Sequence, residues 1–113
     1  MKIIKDSITF NELKKISKNL FGNMVKAVVD VNSEIIAIDA ELHSDLEALL
    51  LQNGAKQKNL WGINLYPEMI GDEFIEFDSL INIRPSQGNK SRLIEDDNIR
   101  KQIINIVRKR IKR

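Results

Sequence analysis

From Met24 to His43 apolar and polar residues alternate along the chain, and the pattern breaks at Asn32-Ser33. A period of two sends successive side chains to opposite faces of an extended strand, so this stretch reads as a β-hairpin with strands from Met24 to Val31 and from Glu34 to His43. Pairing across a two-residue turn sets Val31 opposite Glu34, Val29 opposite Ile36, Ala27 opposite Ile38 and Val25 opposite Ala40. One face is then Val25, Ala27, Val29, Val31, Ile36, Ile38, Ala40 and Leu42. The other carries Lys26, Asp30, Asp39, Glu41 and His43, with Lys26 across from Asp39. A one-residue slip would turn every apolar group of the first face into water, so the register is strongly specified.

The segments around the hairpin supply what can cover that face. Thr9 and Glu12 form a capping box ahead of Phe10, Leu13, Ile16 and Leu20, which recur at helical spacing until Gly22, so a helix is predicted from Phe10 to Phe21. Ser44 with Glu47 is a second capping box, opening a helix through Leu46, Leu49 and Leu50 that stops at Asn53-Gly54. Two further strands are predicted, Leu60 to Tyr66 ending at Pro67 and Phe74 to Arg84 ending at Pro85. In them Trp61, Ile63, Leu65, Ile75, Phe77, Ile81 and Ile83 point one way, while Asn64, Tyr66, Glu76, Asp78, Asn82 and Arg84 point the other. Asp96 or Asp97 caps a last helix that buries Ile99, Ile103, Ile106 and Val107, and the cations closing it suit the helix dipole. The order α-β-β-α-β-β-α predicts a two-layer α+β domain, a four-stranded mixed or antiparallel sheet with helices on one face. A helix between strands two and three favours a parallel crossover and hence the mixed sheet.

At 113 residues, 42% hydrophobic and 30% charged, the chain is expected to be a single domain, residues 1–113, with a core of its own. It has no cysteine, which excludes disulfides, thiolate zinc sites and thiol nucleophiles. No secretory leader and no apolar run of membrane-span length is seen, so the expected setting is the cytoplasm, without a membrane partner. The net charge of +2 conceals a segregation. Residues 1–29 hold six lysines against two acids (+4), residues 30–83 two lysines against eleven acids (−9), and residues 84–113 ten cations against three acids (+7). Such a map can orient a partner or a second copy of the chain.

Three segments, 41–50, 60–67 and 75–92, together resemble a family of short bacterial and archaeal proteins known as a domain of unknown function. The resemblance implies a small soluble prokaryotic protein and carries over no activity, cofactor or site.

Among the residues themselves, the stretch Arg84-Pro85-Ser86-Gln87-Gly88-Asn89-Lys90-Ser91-Arg92 has the chemistry of an anion site. Arg84, Lys90 and Arg92 supply charge, Ser86, Gln87, Asn89 and Ser91 supply directed hydrogen bonds, and Gly88 lets the backbone turn. The three cations repel one another unless counter-charge lies close, so internal carboxylates or a bound anion are expected beside them. Asn64, Tyr66 and Asn82 on the adjacent sheet face would extend the site, Tyr66 as a ring on which a base could stack. Glu41, His43 and Asp45 could hold a divalent metal, and His43 or Asp78 could serve as a general base. Against these stand plainer readings: a solvated sheet face, a helix-entry histidine, and a loop whose arginines pair with Asp45, Glu76 or Asp78.

The leading expectation is a small binding module that holds a phosphate-bearing ligand, nucleic acid or a nucleotide among them, through the 84–92 loop. The alternatives are a hydrolase of phosphate-bearing substrates, with His43 or Asp78 as base and Arg84 or Arg92 stabilising developing charge, and a homo-oligomer in which acidic middle meets basic ends. No cofactor is expected.

Overall fold

The hairpin forms with the predicted register, Ala27 opposite Ile38 and Val29 opposite Ile36, in a computed structural model that describes residues 1–113. Its strands are β3 (Val25–Asp30) and β4 (Ile35–Ile38), shorter than expected because the turn is longer and because β4 stops where Asp39 takes φ 73°, ahead of a helix that begins at His43. Asn32-Ser33 lacks the glycine that a tight two-residue turn favours. Asp30 instead bends its carboxylate over the turn, accepting from the Asn32 and Ser33 amides at 3.0 and 3.2 Å, and Glu34 absorbs the reversal with φ 56°.

The fold is α+β, with five strands in the main sheet rather than four. Residues before the first helix add β1 (Lys2–Ile4), which pairs with β4, and β2 (Ile8–Thr9). The first helix, α1 (Phe10–Asn19), opens on the predicted box, with the Glu12 amide donating to Thr9 Oγ1 at 3.2 Å. Beyond β4 come α2 (His43–Gln52), β5 (Leu60–Leu65), β6 (Ile75–Glu76), α3 (Asp97–Arg110) and β7 (Ile111–Lys112). The sheet order is β1-β4-β3-β5-β6, antiparallel throughout. The mixed sheet favoured by the helical crossover does not form. Strands β4 and β5 do run in the same direction, but β3 lies between them and pairs antiparallel with both. A separate parallel pair, β2 with β7, ties the two ends of the chain together.

The single-sided arrangement of helices is also corrected. Helices α1 and α3 cover the predicted apolar face, where Val29, Ile36, Ile38, Ile63, Leu13 and Ile103 share one core. Helix α2 crosses the opposite face and buries Leu46 and Leu50 on Val28, Ala37 and Leu60. Lys26, Asp30 and Asp39 predict a polar face there, but Val28, Ala37 and Leu60 make its centre apolar. The Ser44–Glu47 capping box is not made. Helix α2 begins at His43, Leu42 is its N-cap with no side-chain cap bond, and Ser44 therefore lies within the first turn.

The strand expected from Phe74 to Arg84 is the largest departure. Only Ile75 and Glu76 pair with β5, after which the chain turns through 3-10 segments at Leu80–Asn82 and Pro85–Gln87. The free edge of β5 is closed by side chains instead of backbone. The Asn82 amide group accepts from the Gly62 N–H at 2.8 Å and donates to the Gly62 carbonyl at 2.9 Å, reproducing the pair of bonds that a strand residue would make. Gly62 permits this approach: a Cβ there would stand 2.6 Å from Ser79 Cβ. Asn82 is consequently fully buried and Ile83 is 42% exposed, the reverse of the predicted alternation.

Candidate functional site

In the basic loop, most of the donors expected to bind an anion are engaged within the chain, whereas the exposed Lys90 ammonium and Ser86 hydroxyl make no hydrogen bond. Arg84 is 9% exposed, and its guanidinium lies 4.1 Å over the Trp61 ring. It donates to the carbonyls of Gln57 and Leu60 and, at 3.2 Å, to Gln87 Oε1, while Gln87 Nε2 reaches the Lys58 carbonyl at 3.0 Å. Burial lowers the Arg84 pKa, and the nearby Glu47 carboxylate opposes that shift. Asn89 is buried and donates to the carbonyls of Asn82, Ser91 and Leu93. Gly88 takes the left-handed conformation expected of it, φ 81°, and Ser86 is exposed.

Counter-charge from the protein reaches Arg92 and the loop backbone, though no carboxylate contacts the Arg84 guanidinium or the Lys90 ammonium. Glu95 Oε2 accepts from the Lys90 amide at 2.8 Å and from the Ser91 amide and hydroxyl, each at 3.0 Å. The Lys90 amide, then the Ser91 hydroxyl and amide, hold the Glu95 pKa below the ordinary glutamate value. Arg92 pairs with Asp78 through two bonds, 2.8 and 3.3 Å.

On the sheet face beside the loop, Glu76 Oε1 accepts from Asn64 Nδ2 at 2.8 Å and from the Tyr66 hydroxyl at 3.0 Å. Asn64 also donates to the Asp78 carbonyl at 3.2 Å and is buried rather than solvated, its Oδ1 without a partner. Desolvation first, and then Glu76, raise the Tyr66 pKa. His43 points at β5, with Nε2 2.8 Å from the Ile63 carbonyl. A carbonyl can only accept, so Nε2 carries the proton and Nδ1 is the basic nitrogen. Burial lowers the His43 pKa, an effect that the Ile63 bond only partly offsets. The metal set expected from Glu41, His43 and Asp45 is not assembled: no three His, Asp or Glu side chains converge, and Glu41 and Asp45 are exposed. Asp39 is half-buried with φ 73° at the end of β4, and does not join Glu41 and His43 in one row.

A groove that the sequence reading missed lies on the other side of the sheet. It has a volume of about 680 Å³ and runs between α3 and the segment leading into β6. Phe10, Phe74, Phe77 and Ile104 line it, and Arg100, Lys101, Arg108 and Arg113 stand around it with Asp72 and Asp97. Phe10 and Phe74 have ring centroids 5.1 Å apart. The Arg113 guanidinium lies 4.2 Å from the Phe10 centroid and 6.0 Å from that of Phe74, and Arg100, which donates to the Ile94 carbonyl, lies 5.2 Å from Phe77. The ion pairs of the protein are Lys2–Glu12, Arg92–Asp78 and Lys109–Glu34, so none of the four groove cations is neutralised by a carboxylate contact. A sequence signal for this groove exists. Asp97, Arg100, Lys101, Ile104 and Arg108 recur at helical spacing beside the core stripe of Ile99, Ile103 and Ile106, making a second amphipathic face.

Sequence comparison covers nearly the whole of this fold. Residues 2–110 match a family described as a protein of unknown function, DUF5674. The chain belongs to this family. The matched range takes in α1, α3, the sheet and the basic loop, leaving out only Met1 and the residues from Ile111 to Arg113. No curated protein and no solved structure matches the chain. No helix is long and apolar enough to cross a membrane.

Proposed function

We propose that the chain is a small binding module for an anionic ligand with an apolar body, seated in the groove along α3. The anionic character of the ligand follows the expectation drawn from the sequence; its seat moves from the 84–92 loop to the opposite side of the sheet. The observation that carries this reading is the contrast in counter-charge. Arg92 and the amides of Lys90 and Ser91 meet Asp78 and Glu95, whereas Lys101, Arg108 and Arg113 surround an apolar floor with no carboxylate in contact. Four cations against Asp72 and Asp97 leave the groove net positive, which favours an anion entering from solvent. An apolar floor adds affinity that does not depend on charge.

Isothermal titration with phenyl phosphate tests the proposal. Binding should weaken as salt rises and should be lost in the double variant K101Q/R108Q, whose two side chains make no hydrogen bond or ion pair within the protein. The variant R92Q should bind as the parent does. Equal binding by K101Q/R108Q and the parent would reject the groove as the seat.

A further inference from the structure

The groove also constrains what the apolar body of its ligand is. Three of the four phenylalanines of the chain, Phe10, Phe74 and Phe77, meet there, although most of the apolar residues are aliphatic. Their ring faces are turned toward the groove, because guanidinium groups of Arg113 and Arg100 lie over them. A ring face accepts flat groups, cationic or aromatic, and a guanidinium and a heteroaromatic ring have the same thickness. An aliphatic chain would gain nothing from this choice of residues over leucine.

The two acids sharpen the inference. Asp72 and Asp97 would repel the carboxylate or phosphate of a simple amphiphile and offer it nothing in return. They become favourable when the ring itself carries N–H donors, which carboxylates accept.

We propose that the groove binds a nucleoside monophosphate with an amino-bearing base. The base stacks over Phe10 and Phe74 where the Arg113 guanidinium now lies, the carboxylate of Asp72, two residues before Phe74, accepts from its N–H groups, and Lys101 and Arg108 hold the phosphate. A groove of about 680 Å³ falls within the range typical of sites for compact small ligands, roughly 300–1,000 Å³. This assignment rests on the groove being the anion site, and the experiment separates the two.

Adenosine monophosphate, inosine monophosphate, ribose 5-phosphate and octyl phosphate are titrated against the intact chain and against F10L, with F74L as a second variant should F10L fail to fold. Adenosine monophosphate should bind about tenfold or more tightly than ribose 5-phosphate, the scale of one base stacked on an aromatic ring. It should also exceed inosine monophosphate, which lacks the exocyclic amine. Either phenylalanine variant should weaken adenosine monophosphate and leave ribose 5-phosphate unchanged. Tighter binding of octyl phosphate than of adenosine monophosphate, or no effect of the ring substitutions, overturns the nucleotide assignment while leaving the anion groove intact. An oligonucleotide bound far more tightly than the mononucleotide, with a steeper salt dependence, overturns it in favour of a nucleic-acid strand. Failure of every phosphate to bind overturns both readings.

Discussion

Replacing Asn82 by alanine removes the side chain that stands in for a missing strand. The amide group makes three hydrogen bonds: from the Gly62 N–H at 2.8 Å, to the Gly62 carbonyl at 2.9 Å and to the Arg92 carbonyl at 3.0 Å. Asn82 is fully buried, so truncation strands one donor and one acceptor, the N–H and carbonyl of Gly62, whereas the Arg92 carbonyl still accepts from the Ser79 N–H at 3.1 Å. Each stranded group costs about 1–3 kcal/mol, and water entering the vacated space recovers part of that. A loss of roughly 2–4 kcal/mol follows, a large share of the ~5–15 kcal/mol that holds a domain folded. Equilibrium urea unfolding reads it as a lowered midpoint with an unchanged slope. Hydrogen exchange gives a local check, since the Gly62 amide should lose its protection. A loss below about 1 kcal/mol, the scale of a single ordinary hydrogen bond, would refute the claim that this side chain closes the sheet edge.

Other perturbations probe the same architecture. Gly62→Ala sets a Cβ 2.6 Å from Ser79 Cβ and should cost about 1–3 kcal/mol by urea unfolding, recovered in a Ser79→Gly background; an unchanged midpoint would contradict the close approach. Glu95, with its folded pKa lowered from 4.5, contributes stability above that value that is lost as pH falls through the folded pKa. NMR should show the Lys90 and Ser91 amides shifting at the Glu95 titration, and Glu95→Gln should abolish that shift. His43, with its folded pKa lowered from 6.5, makes the protein less stable as pH falls below 6.5 toward the folded value, because the unfolded chain takes up the proton first. His43→Gln should flatten that part of the stability profile, and a histidine titrating at or above 6.5 in the folded protein would reverse the argument.

What was legible in the sequence was what period and capping chemistry encode. The hairpin register came from alternation that only one pairing satisfies, and α1 from a box whose two bonds are local. The second covered face was present in Val28, Ala37 and Leu60, but the charges interleaved with them masked it. The end of the 74–84 strand was not legible, because the bonds replacing backbone pairing come from an asparagine side chain twenty residues from its partner. At the basic loop, the repulsion argument correctly required counter-charge, and the alternation could not tell that Glu95, a few residues on, would deliver it. The groove was only half legible: its α3 side recurs at helical spacing, but its aromatic floor needs Phe10 and Phe74 brought against α3, a juxtaposition made by the fold.

The central claim is that anions bind along α3 and not in the 84–92 loop. The most direct measurement is an amide NMR titration of the intact chain with adenosine monophosphate, recording which residues move. Shifts concentrated at residues 72–77 and 97–108, with the amides of Lys90 and Ser91 still held by Glu95 and unmoved, are the predicted result. Shifts centred on residues 84–92 with a silent α3 would contradict it.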